Sequence, residues 1–312
     1  MNRSYITGAL ISVLLAASLF MTGCGIMRPI YGDSFHISRA RLSHVSTGDR
    51  STLRLKVLAT PLTDMAGLED ERVEALTEKW VNLLKNDESL LVATLTGSEG
   101  LVSDITSTET GVYTNPAFIE KAEEMGMNIL VTSVLAPLNY TADRGIIWPF
   151  NKFKGEYDVS MIANVFDVAA GTLIFTFKEN EKIKMGLVPE GQTSPVPLDQ
   201  ETLDNVLRAL QERLASAITD LLEEQTWRGK ISIDNGRIKI SGGTDVGITT
   251  GTVFNVFEKG DSVKSVTGRD YHTNRPKAGE IRVTEVMGDH SFAVPIGENV
   301  FESGQVIILK SE

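Results

Sequence analysis

One cysteine stands in 312 residues, at Cys24. That scarcity excludes an intramolecular disulfide and any zinc site built from several thiolates. Histidine is nearly as rare, at His36, His44, His272 and His290. None stands at i, i+3 or i, i+4 from another or has an acidic partner on a helix, so no metal site is expected. Blocks of positive charge are missing too. Lys and Arg number 30 against 41 Asp and Glu, a net charge of −11, and the basic residues are scattered among acids. Nucleic acid is therefore not an expected partner. The chain has no GxxxxGK[ST] loop, no GxSxG turn, no HExxH pair and no Gly-rich dinucleotide turn. Asp261 to Asp270 mixes acids and glycines without the alternation of a calcium loop, and reads as a solvated hairpin. The expectation is a protein that is not an enzyme and needs no cofactor. Nor does any apolar run reach the roughly 20 residues of a spanning helix.

What is present begins at the amino terminus. Arg3 gives a short positive start, Ile6 to Met21 is mostly apolar, and Met21-Thr22-Gly23-Cys24-Gly25 follows. A charged head, an apolar middle and small residues before a cut site are the parts of a secretory signal peptide. With small residues just before Cys24, residues 1–23 resemble a bacterial lipoprotein signal, although Met21 stands where Leu is usual. The resemblance implies that Cys24 is lipidated on sulfur, becomes the first residue after cleavage, and is acylated on its new amine. One acyl chain holds a protein only marginally, at about 0.8 kcal/mol per buried CH₂, and several chains on one residue hold it firmly. Gly25 replaces the Asp that would resemble an inner-membrane retention signal. The expected location is therefore the cell envelope, on the outer membrane and facing the periplasm.

Residues 24–50 lack a lasting apolar period and read as a lipidated tether with at most one short strand. Residues 51–227 read as an α/β domain. Leu53 to Ala59 is a strand expected to stop at Pro61, and Leu68 to Leu84 carries Val73, Leu76, Trp80 and Leu83 at helical spacing. Leu90 to Leu95 is a second strand, and residues 97–115 form a polar loop. Asn115-Pro116 starts a short helix ending at Gly126. Asn128 to Leu138 is a strand, residues 140–154 read as loop, and two strands, 155–167 and 172–184, follow around Gly171. Asp199 caps a long helix whose stripe runs from Leu203 through Leu207, Leu210, Leu214 and Ile218 to Leu222. The order predicts a mixed sheet covered by helices. Residues 228–312 hold short β-rich runs separated by glycine turns and read as a small all-β barrel. The fold class is thus α+β, a mixed sheet followed by a barrel.

The most conspicuous candidate surface lies in residues 145–153, where Ile147, Trp148, Phe150 and Phe153 crowd between two strands. Such residues either cap a core or anchor a partner, since Trp can carry much of an interface's affinity. The residues alone leave both readings open.

Within the carboxy-terminal part, Trp227-Arg228-Gly229-Lys230-Ile231, Asn235-Gly236, Gly247 to Val256, Val266-Thr267-Gly268, Gly279 to Val286 and Gly304-Gln305-Val306 form a recognisable set. It resembles the C-terminal domain of flagellar assembly protein T, with Thr252 and Gln305 at positions where that family usually has Asp. By element order, and by Asp167 followed by Gly171-Thr172, the α/β part is similar to that family's middle domain. A comparable domain starts the Tol-system propeller protein and occurs in the curli-secretion lipoprotein. The family's N-terminal domain has no counterpart here, and its members are not lipidated. The resemblance implies a scaffold or assembly factor of an envelope complex, with the flagellar basal body as its setting and flagellar ring components among its protein partners. It leaves two alternatives: a secretion-pore subunit like the curli lipoprotein, and a lipoprotein activator of a cell-wall enzyme. Partners are expected to be the membrane, through lipid on Cys24, and envelope proteins, with oligomers allowed.

Overall fold

Leu55, Val57 and Ala59 point to one side of strand β1 (Leu55–Asp64) and Leu58 to the other, and all four are buried. A strand apolar on both faces must lie inside a sheet covered on both sides. The computed structural model describes residues 53–95, 106–107, 113–114, 116–144, 153–188, 195–258, 261–264, 270–273 and 276–310. In it, β1 pairs in parallel with β2 (Leu90–Thr94) and with β5 (Ile129–Leu135). β5 pairs antiparallel with β7 (Phe153–Asp167). The amino-terminal half of β7 pairs with β6 (Asn139–Arg144), and its other side carries β8 (Thr172–Val188) along nearly its full length. Two short strands, β3 (Thr106–Ser107) and β4 (Tyr113–Thr114), pair with each other.

Helices α1 (Asp70–Lys85) and α3 (Gln200–Glu223) cover one face. The α3 stripe buries Leu203, Leu207, Leu210, Leu214, Ile218 and Leu222, with Trp80 and Leu84 of α1 in the same core. At about 1.5–3 kcal/mol for each fully buried leucine, this stripe is a main source of the sheet's stability. The Asp199 carboxylate accepts from the Thr202 amide at 2.9 Å and caps α3, and that bond holds the carboxyl below its usual range. Helix α2 (Pro116–Glu124) covers the other face with Phe118, Ile119 and Ala122 against Leu58, Leu130 and Phe166.

Three expectations need correction. Residues 97–115, expected to be a polar loop, contain the paired strands β3 and β4. Pro61 does not stop β1. The register to β5 shifts between Ala59 and Leu62, and that irregularity accommodates a residue without an amide hydrogen. Residues 140–144, expected in a loop, belong to β6, where Tyr140 packs tilted against Tyr157 of β7 with ring centroids 5.0 Å apart.

The remaining strands close a barrel in the order β10 (Arg237–Ile240), β15 (Ser291–Ile296), β14 (Lys277–Val286), β11 (Val253–Phe257), β16 (Val306–Leu309) and β9 (Arg228–Asp234). Ile231, Ile240, Phe254, Val256, Ile281, Val283 and Ile307 fill it. A separate hairpin joins β12 (Asp261–Lys264) and β13 (Asp270–Thr273). Between β9 and β10, Asn235 and Gly236 have φ of 48° and 79°, the signature of a two-residue type I′ turn. A Gly236→Val variant, forcing a β-branched residue into that region, should lose about 1–2 kcal/mol in urea unfolding with little change of fold.

Candidate functional site

The sites marked by sequence lie mostly outside the described residues: Cys24, Ile147, Trp148 and Phe150. Phe153 is the first residue of β7, paired in register with Arg144 of β6 and Val188 of β8. The flanks of the aromatic segment 145–152 are thus held by a three-stranded arm, β6–β7–β8. At its base, Tyr157 donates to the Val196 carbonyl at 2.7 Å. Burial, with Tyr140 beside it, raises the Tyr157 pKa.

A second assembly of polar groups was not expected from sequence. It joins the sheet to the barrel at the end where β1 and β5 begin. Lys56 of β1 is buried at 8% exposure. Its ammonium pairs with Asp245 Oδ2 at 2.8 Å and donates to the carbonyls of Ser241 at 3.2 Å and Asp289 at 3.1 Å. All three of its N–H donors therefore find oxygen on the barrel side. Asp245 is fixed in turn by the amides of Gly243 and Val246, at 2.9 and 2.8 Å. Beside it, the His290 ring hydrogen-bonds the Asp289 carboxylate at 2.7 Å and holds that carboxyl below its usual range.

Asn128 completes the arrangement. Its Oδ1 accepts from the Lys56 amide at 2.8 Å, and its Nδ2 donates to the Arg228 carbonyl at the start of β9. Arg228 pairs with Asp167 at 2.8 Å, and Lys230 with Glu123 at 2.6 Å. The Arg54 amide, two residues before Lys56, donates to the Val246 carbonyl at 2.9 Å. Leu53, Leu55, Trp227, Ile231 and Phe254 belong to one continuous apolar core. Sheet and barrel are thus tied by main chain, ion pairs and shared packing.

Sequence reasoning missed Lys56, Asn128 and Asp245 because their partners stand between 72 and 233 residues away along the chain for the side-chain hydrogen bonds of this seam that involve Lys56. The only local signal was a lysine inside an otherwise apolar central strand. Chemically, the seam holds and orients. Its cation is fully coordinated, and among the described residues no group of three or more His, Cys, Asp or Glu is placed to bind a metal ion. Among the same residues, no helix is long and apolar enough to cross a membrane.

No protein-family model matches the chain, and none of the curated proteins matches it. Several solved structures are similar over about half of it. Hypothetical protein CT253 from Chlamydia trachomatis shares 14% identity at a TM-score of 0.35, over 55% of this chain and 96% of that one. The PelC dodecamer from Paraburkholderia phytofirmans shares 12% at 0.31, over 54% and 90%. Lipoprotein GNA1162 from Neisseria meningitidis shares 11% at 0.27, over 55% and 99%. Bacterial lipoproteins are thus among the similar structures, at TM-scores that assign this chain neither a family nor a function.

Proposed function

We propose that this chain is a lipid-anchored assembly factor of the bacterial envelope, held by Cys24 and acting by contact rather than by catalysis. One observation carries the reading. Just before β1, Leu53 is buried in the core shared by sheet and barrel, and Arg54 is bonded to the barrel through Val246. Sheet and barrel are thereby tied near the start of β1, and a body whose two modules are tied suits a part that sets the spacing of other proteins. Outer-membrane placement facing the periplasm follows from Gly25 after the cysteine, and the flagellar setting from the resemblance of residues 228–312.

Radiolabelled palmitate fed to cells expressing the chain should enter the wild type and not Cys24→Ala, which should shift to the soluble fraction. Label retained by Cys24→Ala would defeat the anchor. For the setting, the lipidated protein should co-purify with flagellar ring components. Co-purification with a peptidoglycan synthase instead would favour an activator of a cell-wall enzyme.

A further inference from the structure

Among the described residues β8 pairs only with β7, so its outer side is an edge that no described strand takes up. Such edges invite a further strand, and proteins commonly blunt them with bulges and charges. β8 is blunted unevenly. A register shift between β7 and β8 interrupts it at Ile174, between Leu173 and Phe175. From Phe175 to Lys184 the strand is regular, about 33 Å at about 3.3 Å per residue.

Its two faces differ in chemistry. On the face toward α3, Phe175 and Phe177 are half-buried with ring centroids 4.5 Å apart, and Ile183 is buried. Glu179 and Glu181 on that face are both engaged by Arg213 of α3, at 2.9 and 3.1 Å. The opposite face presents Lys178, Lys182 and Lys184, all exposed. Lys182 pairs with Glu156, whereas Lys178 and Lys184 have no salt bridge among the described residues. One face of the edge thus carries Phe175, Phe177 and Ile183 around a Glu179–Glu181 pair neutralised by Arg213, and the other carries three lysines, two of them in register with Asp158 and Glu156 of β7.

This pattern also excludes one occupant. Two copies pairing edge to edge are related by a two-fold axis normal to the sheet, so directly opposed residues share a face. A centre at Lys178, Glu179, Glu181, Lys182 or Lys184 sets that charge against itself, and a centre at Ile183 opposes Lys182 to Lys184. A centre at Asn180 opposes Lys178 to Lys182 and Glu179 to Glu181. A centre at Phe177 or earlier runs into the irregularity at Ile174.

We infer that the β8 edge receives an extended segment of a different protein, alternating acidic residues opposite Lys178, Lys182 and Lys184 with apolar residues beside Phe175, Phe177 and Ile183. The added strand gains its affinity from main-chain hydrogen bonds and its specificity from the alternate side chains. This rests on the reading of the chain as a contact protein and names the surface and chemistry of one contact.

The test uses the purified full-length mature protein in detergent and a fluorescent peptide of about ten residues alternating Glu with Val. The Glu peptide should bind at least tenfold more tightly than its Lys-for-Glu counterpart and slow amide exchange across residues 175–184. N-methylation of alternate residues should abolish binding if it blocks the side facing β8. Lys178→Glu, on a residue that meets Ile162 rather than a charge, should reverse the preference without moving the melting temperature. Equal binding of both peptides, indifference to N-methylation on either side, or concentration-dependent dimers lost in Lys178→Glu would overturn the inference. None of these outcomes depends on Cys24, so failure here leaves the palmitate result to judge the anchor separately.

Discussion

Trp227→Ala should lower stability by about 3–5 kcal/mol and move the unfolding of sheet and barrel together. The indole is fully buried at the start of the barrel. It contacts Phe254 with ring centroids 5.5 Å apart, and Gly229 lies so close that a Cβ built there would stand 2.4 Å from the ring. No neighbour can collapse into the space without breaking the start of β9. Because Trp227 shares one core with Leu53, Leu207 and Ile231, the cavity opens under both modules. For a body of this size the loss corresponds to a fall of roughly 10 °C in Tm. Calorimetry should give one shifted transition. Two separated transitions would show that the modules unfold independently.

Lys56→Met should cost about 2–3 kcal/mol. Methionine keeps most of the aliphatic stem, so the loss isolates the ammonium. Its removal leaves the Asp245 carboxylate, the Ser241 carbonyl and the Asp289 carbonyl without their shared donor. Asp245 is partly exposed and water will rescue some of it, which sets the figure below that of a fully buried pair. Asp245→Asn preserves an acceptor for the Gly243 and Val246 amides while removing the charge. A double-mutant cycle between Lys56→Met and Asp245→Asn should return a coupling of about 1–2 kcal/mol by urea unfolding. A coupling near zero would mean that the two carbonyls, not the carboxylate, hold the lysine.

Sequence reasoning reached the elements whose signal is local. The α3 stripe, the Asp199 cap and the Asn235-Gly236 turn each declare themselves within a few residues, and all three stand as read. The barrel strands were legible because turns punctuate them. What failed depended on distant partners. Pro61 looked like a terminator because its missing amide hydrogen is a local fact, while the shifted register that tolerates it belongs to β5. Residues 140–144 looked like loop because their pairing partner begins at Phe153. Lys56 carried no sign of its role, since nothing nearby indicates that a barrel more than 180 residues on supplies its oxygens. The edge status of β8 was hidden for the same reason, since a strand's sequence does not say which of its sides is paired.

The place of β1 in the sheet has a mechanical meaning. Traction along β1 would load it in shear, with β2 and β5 hydrogen-bonded to it on either side. Shear across two parallel ladders strains many bonds at once, whereas peeling an outer strand breaks them singly. A strand held by two parallel ladders resists traction well, and at its amino-terminal end the bond from Arg54 to Val246 adds the barrel to the load.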